Sequence, residues 1–380
     1  MQNIHQLSSP ELARYARHLS IPEFGMEGQL KLKSAKVLVI GSGGLGSPLL
    51  LYLAAAGVGH IGIVDFDRVD ESNLQRQVLF SMHDIGRLKA GVAKERLEAL
   101  NPHISITVYD THFSRKNALE LVRQYDVVAD GTDNFPTRYL VNDACVLEGK
   151  PNVYASIFQF EGQVAVFNFL QADGSRGPNY RDMFPEPPPP GLVPSCAEGG
   201  VLGVLPGIIG SMQACEVIKV ITGVGEPLAG RLFLFDAASF TTRILKVRNN
   251  PDTRIERLID YEAFCGVAPR VWDKSVKEIT VQGLQSMISQ NIDFQLIDVR
   301  EPHEYAIANL KGDLIPLTTI SGAVHKIATD KKVILHCRSG VRSATAIQEL
   351  ESRFGFDNLY NLKGGILAWA KEIDTSIPTY

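Results

Sequence analysis

From Lys36 onward, short β-branched runs alternate with longer amphipathic ones: Val37-Leu38-Val39-Ile40, then Leu49 to Ala56, then Ile61-Gly62-Ile63-Val64, then Gly86 to Leu100. Short apolar runs of this kind suit buried strands and the longer ones suit helices, so the alternation predicts strand–helix–strand units around a parallel sheet. Tyr125 to Asp130 reads as a further buried strand, with Pro136 to Leu147 as the helix after it. Val153 to Phe169, rich in aromatic and β-branched residues, is expected to form longer antiparallel strands at one edge. Gln171 to Pro194 carries Gly174, Gly177 and the tract Pro185-Glu186-Pro187-Pro188-Pro189-Pro190. Proline cannot donate to a ladder, so this stretch is expected to be an extended, exposed crossover. Pro206 to Thr222 reads as a buried helix with small residues (Gly207, Gly210, Ser211, Ala214), and Arg231 to Val247 as two final strands. Between Arg248 and Lys277 the periodicity is lost while charge and proline rise.

A chain of 380 residues is long enough for two domains, each with its own core. The pattern places a first α/β domain at 1–250, a linker at 251–276 and a smaller α/β domain at 277–380. Net charge is −4 with both signs interspersed, which offers no electrostatic footprint for nucleic acid or an anionic membrane. The N-terminus shows no basic segment leading into an apolar stretch, and no apolar run reaches the ~20 residues that span a bilayer. A soluble, cytoplasmic protein is the expectation. Five cysteines (Cys145, Cys196, Cys215, Cys265, Cys337) are an odd and sparse set, which speaks for individual thiols in a reducing compartment and against a disulfide framework.

The segment Cys337-Arg338-Ser339-Gly340-Val341-Arg342-Ser343 follows the apolar run Lys332 to His336 and precedes a helical pattern. A strand that stops at a cysteine and turns into a helix makes a nest of backbone N–H groups. With Arg338 and Arg342 beside it, such a nest favours a thiolate and holds an anion. The plainer reading is a core cysteine at a strand end. The segment resembles the catalytic loop of rhodanese-type sulfurtransferases, whose cysteine carries a persulfide. Leu296-Ile297-Asp298-Val299-Arg300-Glu301-Pro302 followed by Glu304-Tyr305 is similar to that family's earlier strand, and Gly364-Gly365 with Trp369 to its closing helix. Asn309 departs from the family, which usually has a histidine there.

Gly41-Ser42-Gly43-Gly44-Leu45-Gly46 lies between the first strand and the first helix, where glycines let a phosphate approach amides at a helix N-terminus. Asp65, ending the second strand, is placed for ribose hydroxyls, and this pairing equally suits a nicotinamide dehydrogenase. Asn73, Arg76 and Lys89 lie where phosphates would sit, a cluster that hydride transfer does not need and a triphosphate does. Gly41 to Gly46, Asp65-Phe66-Asp67, Ser72 to Gln77, Lys89 and Gly131-Thr132-Asp133-Asn134 together resemble the ubiquitin-activating-like enzymes MoeB and ThiF over roughly the first two-thirds of the chain. That resemblance implies a Rossmann-like adenylating domain with a mixed sheet. It implies ATP and Mg²⁺, with Gly41, Gly43 and Gly44 bordering the nucleotide, Asp65 on the ribose and Asp67 beside it. It further implies Asn73, Arg76 and Lys89 on the phosphates, and Asp133, next to Asn134, near Mg²⁺. Arg17 matches a family arginine that reaches the ATP of the other subunit of a homodimer; on spacing alone it reads as part of a solvated helix face.

The substrate implied is the C-terminal Gly-Gly carboxylate of a small ubiquitin-like sulfur carrier protein. Such a carboxylate is already ionised at neutral pH, so fixed cations are of more use than a general base. Cys196 follows the proline-rich crossover and matches a family cysteine proposed to act in acyl or sulfur transfer; it reads equally as a structural thiol. Cys145 and Cys215 fall in apolar helical patterns and are expected to be core. Many relatives carry two Cys-x-x-Cys pairs for structural zinc, but here the first pair is replaced by Asn179 to Asp182 and the second retains only Cys265. Structural zinc needs four good ligands, so none is expected. The reading is a carrier-adenylating domain fused to a sulfurtransferase domain. Cys337, loaded from thiosulfate or a cysteine desulfurase, would attack the acyl-adenylate, and Cys196 would release the thiocarboxylate. Its rivals are adenylation of a peptide or small-molecule carboxylate, a non-catalytic scaffold, and a dehydrogenase. The pathway served, whether molybdopterin, thiamine, tRNA thiolation or another, is left open.

Overall fold

The computed structural model describes residues 6–188, 199–266 and 276–379. The chain forms two compact units, Met1–Arg270 and Val271–Tyr380. The first is built on an eight-stranded sheet in the order β3-β2-β1-β4-β5-β6-β7-β8. Its strands are β1 (Lys36–Ile40), β2 (His60–Val64), β3 (Ser105–Tyr109), β4 (Val127–Asp130), β5 (Asn152–Phe158), β6 (Glu161–Phe167), β7 (Arg231–Asp236) and β8 (Thr241–Lys246). The strands from β3 to β5 pair in parallel, and those from β5 to β8 pair antiparallel. The expected antiparallel strands from Val153 to Phe169 and the two final strands from Arg231 to Val247 are present, the latter also antiparallel. The pair from Val153 to Phe169 lies inside the sheet instead of at its edge, because β7 and β8 continue the ladder past β6.

Parallel strands covered on both faces are apolar throughout. Val37, Val39, Ile61 and Ile63 face one core with helices Gly46–Ala56 and Lys89–Leu100. Leu38, Ile40, Val64 and Val128 face the other with helix Phe135–Leu147. Helix Leu205–Thr222 is long and apolar enough to cross a membrane by length and composition, yet half of it is buried in this unit. It packs on Gly46–Ala56 so closely that a side chain on Gly210 would meet the Leu45 carbonyl at 2.5 Å. Its buried stripe holds Ile209, Gln213, Ala214 and Val217, and Cys215 falls outside that stripe. Contrary to expectation, Cys215 is exposed, whereas Cys145 is buried. The crossover is also less open than expected: Asn179 caps a short helix, Tyr180–Met183, and Tyr180 is buried among Tyr139, Tyr154 and Phe167.

The second unit is a five-stranded parallel sheet, β11-β10-β12-β13-β9. Its strands are β9 (Glu278–Ile279), β10 (Phe294–Asp298), β11 (Asp313–Leu314), β12 (Lys332–His336) and β13 (Leu359–Leu362). Ile297, Val333 and Leu335 pack on Ala346, Ile347 and Leu350 of helix Val341–Phe354. Ile334 and Leu362 pack on Val281, Leu284 and Met287 of helix Val281–Ser289.

Candidate functional site

Strand order in the first unit reverses between β1 and β4, and a crevice at the carboxyl ends of the strands beside such a switch point is where open α/β sheets bind ligands. Register places Ile40 beside Val64 and Asp130, so Gly41, Asp65 and Gly131 follow at one edge. The Gly-rich loop turns there into helix Gly46–Ala56. A Cβ on Gly46 would lie 2.1 Å from the Gly41 carbonyl oxygen, so no side chain fits. Asp65 fixes the loop: its Oδ2 accepts from Ser42 N (2.8 Å) and Ser42 Oγ (2.7 Å), and its Oδ1 accepts from Asp67 N (2.9 Å). A carboxylate oxygen has two lone-pair sites. Oδ1 therefore keeps one lone-pair site to offer.

The turn Glu71–Asn73, capped by Asp70, delivers the next residues to the same loop. The Arg76 stem lies 3.8 Å from where a Gly44 side chain would begin, and the Gln77 amide nitrogen 3.5 Å from the equivalent point on Gly43. Arg76 Nη1 donates to the Ser72 carbonyl (3.0 Å). Lys89, almost wholly buried, is anchored twice to Asp67: N–H to carbonyl at 2.9 Å and Nζ to Oδ2 at 3.0 Å. An ammonium has three donors, so the Lys89 head has two beyond the one given to Asp67. Asn73 is half-buried, its amide oxygen accepting from Asp70 N at 3.4 Å. After β4, Asp133 is exposed, and Asn134 caps helix Phe135–Leu147 by accepting from Thr137 N at 3.0 Å. Arg17 is exposed on the short helix Ala16–Leu19. Cys196 lies outside the described residues.

Gln77 escaped the reading of the sequence. It is buried, and its Oε1 finds no partner among the described residues, although it lies against the loop that would border a nucleotide. The signal was its place beside Arg76, but an isolated glutamine carries no chemistry of its own.

In the second unit β12 ends at His336 and hands the chain to Cys337, which is 1% exposed. The loop carbonyls of Cys337 and Arg338 accept from Ile366 N (3.0 Å) and Leu367 N (3.1 Å), the opening of helix Gly365–Glu372. A planar peptide points its N–H away from its carbonyl. Those bonds therefore turn the following loop amides toward the opposite side. Gly340 (φ 97°) supplies the left-handed turn and donates its N–H to Cys337 Sγ at 3.1 Å. Arg342 is gripped by Glu304 through two bonds of 2.6 and 2.7 Å. Behind the loop Arg300 and Asp298 form a fully buried pair (2.6 Å), and His336 lies 3.6 Å from the same carboxylate. Burial pushes the His336 imidazole down to about 4, further than the Asp298 charge raises it. Asn309, where the family usually has histidine, closes its own turn by donating to the Tyr305 carbonyl at 3.0 Å.

The residues at the positions of the family's zinc ligands do not fit that ion. Arg181 forms a two-bond pair with Asp143 (2.8 Å each) and stacks on Tyr139 and Phe264. Tyr261 donates to Asp143 at 2.8 Å. Asp182 accepts from Asn179 N and Asn250 N, and burial pushes the Cys265 thiol up to about 11. Tyr261 and Cys265, in the stretch read as linker, are thus part of the first unit's core.

These features define a class: an adenylating α/β domain joined on one chain to a rhodanese-type sulfurtransferase domain. Residues 15–256 match the ThiF family model and residues 280–372 that of the rhodanese-like domain. The chain belongs to the ThiF family. It is 50% identical to the probable adenylyltransferase/sulfurtransferase MoeZ of Mycobacterium tuberculosis over 380 residues, covering 98% of this chain and 96% of that one. It is 55% identical to the sulfur carrier protein adenylyltransferase of Thermus thermophilus over 264 residues, 68% of this chain and 97% of the relative. The adenylyltransferase and sulfurtransferase MOCS3 of Drosophila grimshawi is 41% identical, over 100% of this chain and 88% of its own. Among solved structures, E. coli MccB with MccA-N7isoASN superposes at a TM-score of 0.56 with 23% identity, covering 67% of this chain and 76% of that one. That likeness concerns the fold.

Proposed function

We propose that the chain adenylates the C-terminal Gly-Gly carboxylate of a ubiquitin-like sulfur carrier with ATP and then converts it to a thiocarboxylate with sulfur carried on Cys337. The observation that carries the first half is that Arg76 and Gln77 lie against the Gly-rich loop at the switch point, with Lys89 paired to Asp67, whose N–H donates to the Asp65 that holds Ser42 of that loop. The carrier carboxylate attacks the α-phosphorus, a P–O bond forms, and pyrophosphate leaves with the electron pair of the bond that breaks. Arg76 and Lys89 face the charge that develops, fixed before the reaction by Ser72 and Asp67. Mg²⁺, for which exposed Asp133 offers a carboxylate, supplies further neutralisation of phosphate charge. Asp65 holds the ribose, and Gly41, Gly43 and Gly44 leave room for the phosphates.

In the second half the outer sulfur of a Cys337 persulfide attacks the acyl carbon. A C–S bond forms and AMP leaves. A thiol then attacks Sγ of the acyl disulfide, the carrier sulfur departing with the electron pair as thiocarboxylate; Cys196 is the candidate, and an external thiol reduces the resulting disulfide. Arg338 and the Glu304-held Arg342 offer positive charge to an anionic sulfur donor such as thiosulfate. The first unit, which runs past the expected boundary at 250 to take in Tyr261 and Cys265, and residues 277–380 serve as the two functional domains, and their fusion raises the effective concentration of persulfide near the adenylate. Arg17 completes the nucleotide site of a second copy in a homodimer, and the protein works in the cytoplasm without structural zinc.

Intact-mass spectrometry of a Gly-Gly-ended carrier incubated with the protein, Mg-ATP, thiosulfate and a reductant tests this. A gain matching one oxygen replaced by sulfur, absent with Cys337→Ala, is expected. An adenylate that forms on free small carboxylates as readily as on the carrier would overturn the carrier assignment.

A further inference from the structure

The buried surroundings of Cys337 contain one group that the scheme above leaves unused. Ser343, fully buried in the first turn of helix Val341–Phe354, places its Oγ 3.5 Å from Cys337 Sγ, 2.7 Å from Asn361 Oδ1 and 3.2 Å from the Gly340 carbonyl. A hydroxyl has one hydrogen and two lone pairs, so it can donate to only one of the three at a time. Asn361 is itself buried, at the middle of β13. Turned half a revolution about χ2, its amide presents Nδ2 to Ser343 in place of Oδ1. Asn361 then donates to the hydroxyl, and the Ser343 hydrogen is free for sulfur. The cluster therefore supports two hydrogen-bond arrangements with no movement of the backbone.

We propose that Ser343 is a further catalytic residue of the second unit: its hydroxyl, oriented by Asn361, donates to Cys337 Sγ whenever that sulfur carries negative charge. The proposal rests on the reading of Cys337 as the sulfur carrier. In loading, the Cys337 thiolate attacks the outer sulfur of thiosulfate; an S–S bond forms, the original S–S bond breaks, and sulfite leaves with its electron pair. Sγ is then a neutral bridging sulfur and the charge sits on the outer atom. In discharge to a nucleophile such as cyanide the S–S bond breaks, thiocyanate forms, and the electron pair returns to Sγ. The leaving thiolate, out of reach of solvent, has the Gly340 N–H and the Ser343 hydroxyl as donors. A hydrogen bond to a charged partner is worth more than one to a neutral partner, so Ser343 favours discharge over the loaded resting state.

The test is single-turnover discharge to cyanide, followed by thiocyanate formation, of full-length protein loaded from thiosulfate or glutathione persulfide. Ser343→Ala is expected to load to the native extent by mass and to discharge about tenfold or more slowly. Ser343→Thr, which keeps the hydroxyl, should restore the rate, and Asn361→Ala should fall between. Melting curves report whether each variant is folded. If Ser343→Ala is not, the contrast between Ser343→Thr and Asn361→Ala decides. Discharge at the native rate in Ser343→Ala, or in Asn361→Ala when that contrast decides, would overturn the proposal. A native protein that takes up sulfur from neither donor would instead remove the reading of Cys337 and this inference with it.

Discussion

Glu304 and Arg342 meet through two parallel bonds, Nη1 to Oε2 at 2.6 Å and Nη2 to Oε1 at 2.7 Å, so the first turn of helix Val341–Phe354, which follows Cys337, is clamped to helix Pro302–Ile307. Burial alone would raise the Glu304 carboxyl, but Arg342 and the Glu301 N–H carry it below the usual carboxylate range. The pair thus stays ionised and rigid. Glu304→Gln keeps the shape and loses the charge, and with it one of the two bonds to Arg342. Sulfur transfer from thiosulfate should fall about tenfold with a small loss of stability, about 1–2 kcal/mol, read by the rate of sulfite release and by thermal melting.

Arg76, against Gly44 of the Gly-rich loop, and Lys89, paired with Asp67, are held in place before any nucleotide arrives. Cations aimed in advance at developing phosphate charge are worth roughly 10²–10³ in rate each. Arg76→Ala and Lys89→Ala should lower carrier-dependent pyrophosphate exchange by that order while leaving thiosulfate sulfur transfer intact. Lys89→Arg should not rescue, because a compact ammonium wedged against Asp67 in a buried site has no room for a planar fork.

The Gly46 position offers a steric test of the same loop. An added methyl would sit 2.1 Å from the Gly41 carbonyl oxygen, a backbone atom that cannot swing aside. Gly46→Ala should cost about 1–3 kcal/mol in the first unit and abolish ATP-dependent exchange, again with sulfur transfer retained. Exchange at the native rate would show that the Gly41 to Gly46 turn is not the nucleotide loop.

Much of this was legible from pattern. β12 coincides with the run Lys332 to His336, and β1 and β2 with the first two apolar runs, because strands buried on both faces leave a continuous apolar signature. The candidate chemistry at Gly41 to Gly46 and at Cys337 was legible because loop residues are contiguous. What failed was long-range or depended on which face a residue takes. Glu304 and Arg342 are 38 positions apart, and Asp143 and Tyr261 are 118 apart, distances over which no local period pairs two residues. Cys215 sits in an apolar helix but faces outward, one position from buried Ala214 and Glu216. Tyr180 was assigned to an exposed crossover by its proline-rich neighbourhood, whereas aromatic packing with Tyr139 and Phe167 draws it inside.

His336 gives the second unit an acid limit. Its folded value of about 4 lies below the ordinary value near 6.5. The unfolded chain therefore binds a proton that the folded chain refuses between those two values. Stability is full above about pH 6.5, falls as pH drops toward 4, and loses nothing more from this group below that. The span corresponds to about 3 kcal/mol. His336→Leu should flatten the pH dependence of urea unfolding of the second unit over that interval, and a native-like slope in the variant would assign the acid sensitivity to another group.

The cluster of Arg181, Asp143, Tyr261 and Phe264 makes a prediction about metal. It ties residues 260–266 to helix Phe135–Leu147 through a carboxylate that accepts two guanidinium bonds and a phenol, with the guanidinium lying 4.6 Å over the Phe264 ring. A buried pair broken from one side leaves its partner charge uncompensated, a loss of about 3 kcal/mol or more. Arg181→Ala should therefore lower the stability of the first unit by that order, and Tyr261→Phe by about 1–2 kcal/mol. Because this network occupies the ground where relatives would place zinc ligands, prolonged treatment with a strong chelator should leave the melting transition unmoved and release no zinc. A chelator-dependent drop in melting temperature, with zinc recovered in the filtrate, would show that Cys265 and its neighbours bind metal after all.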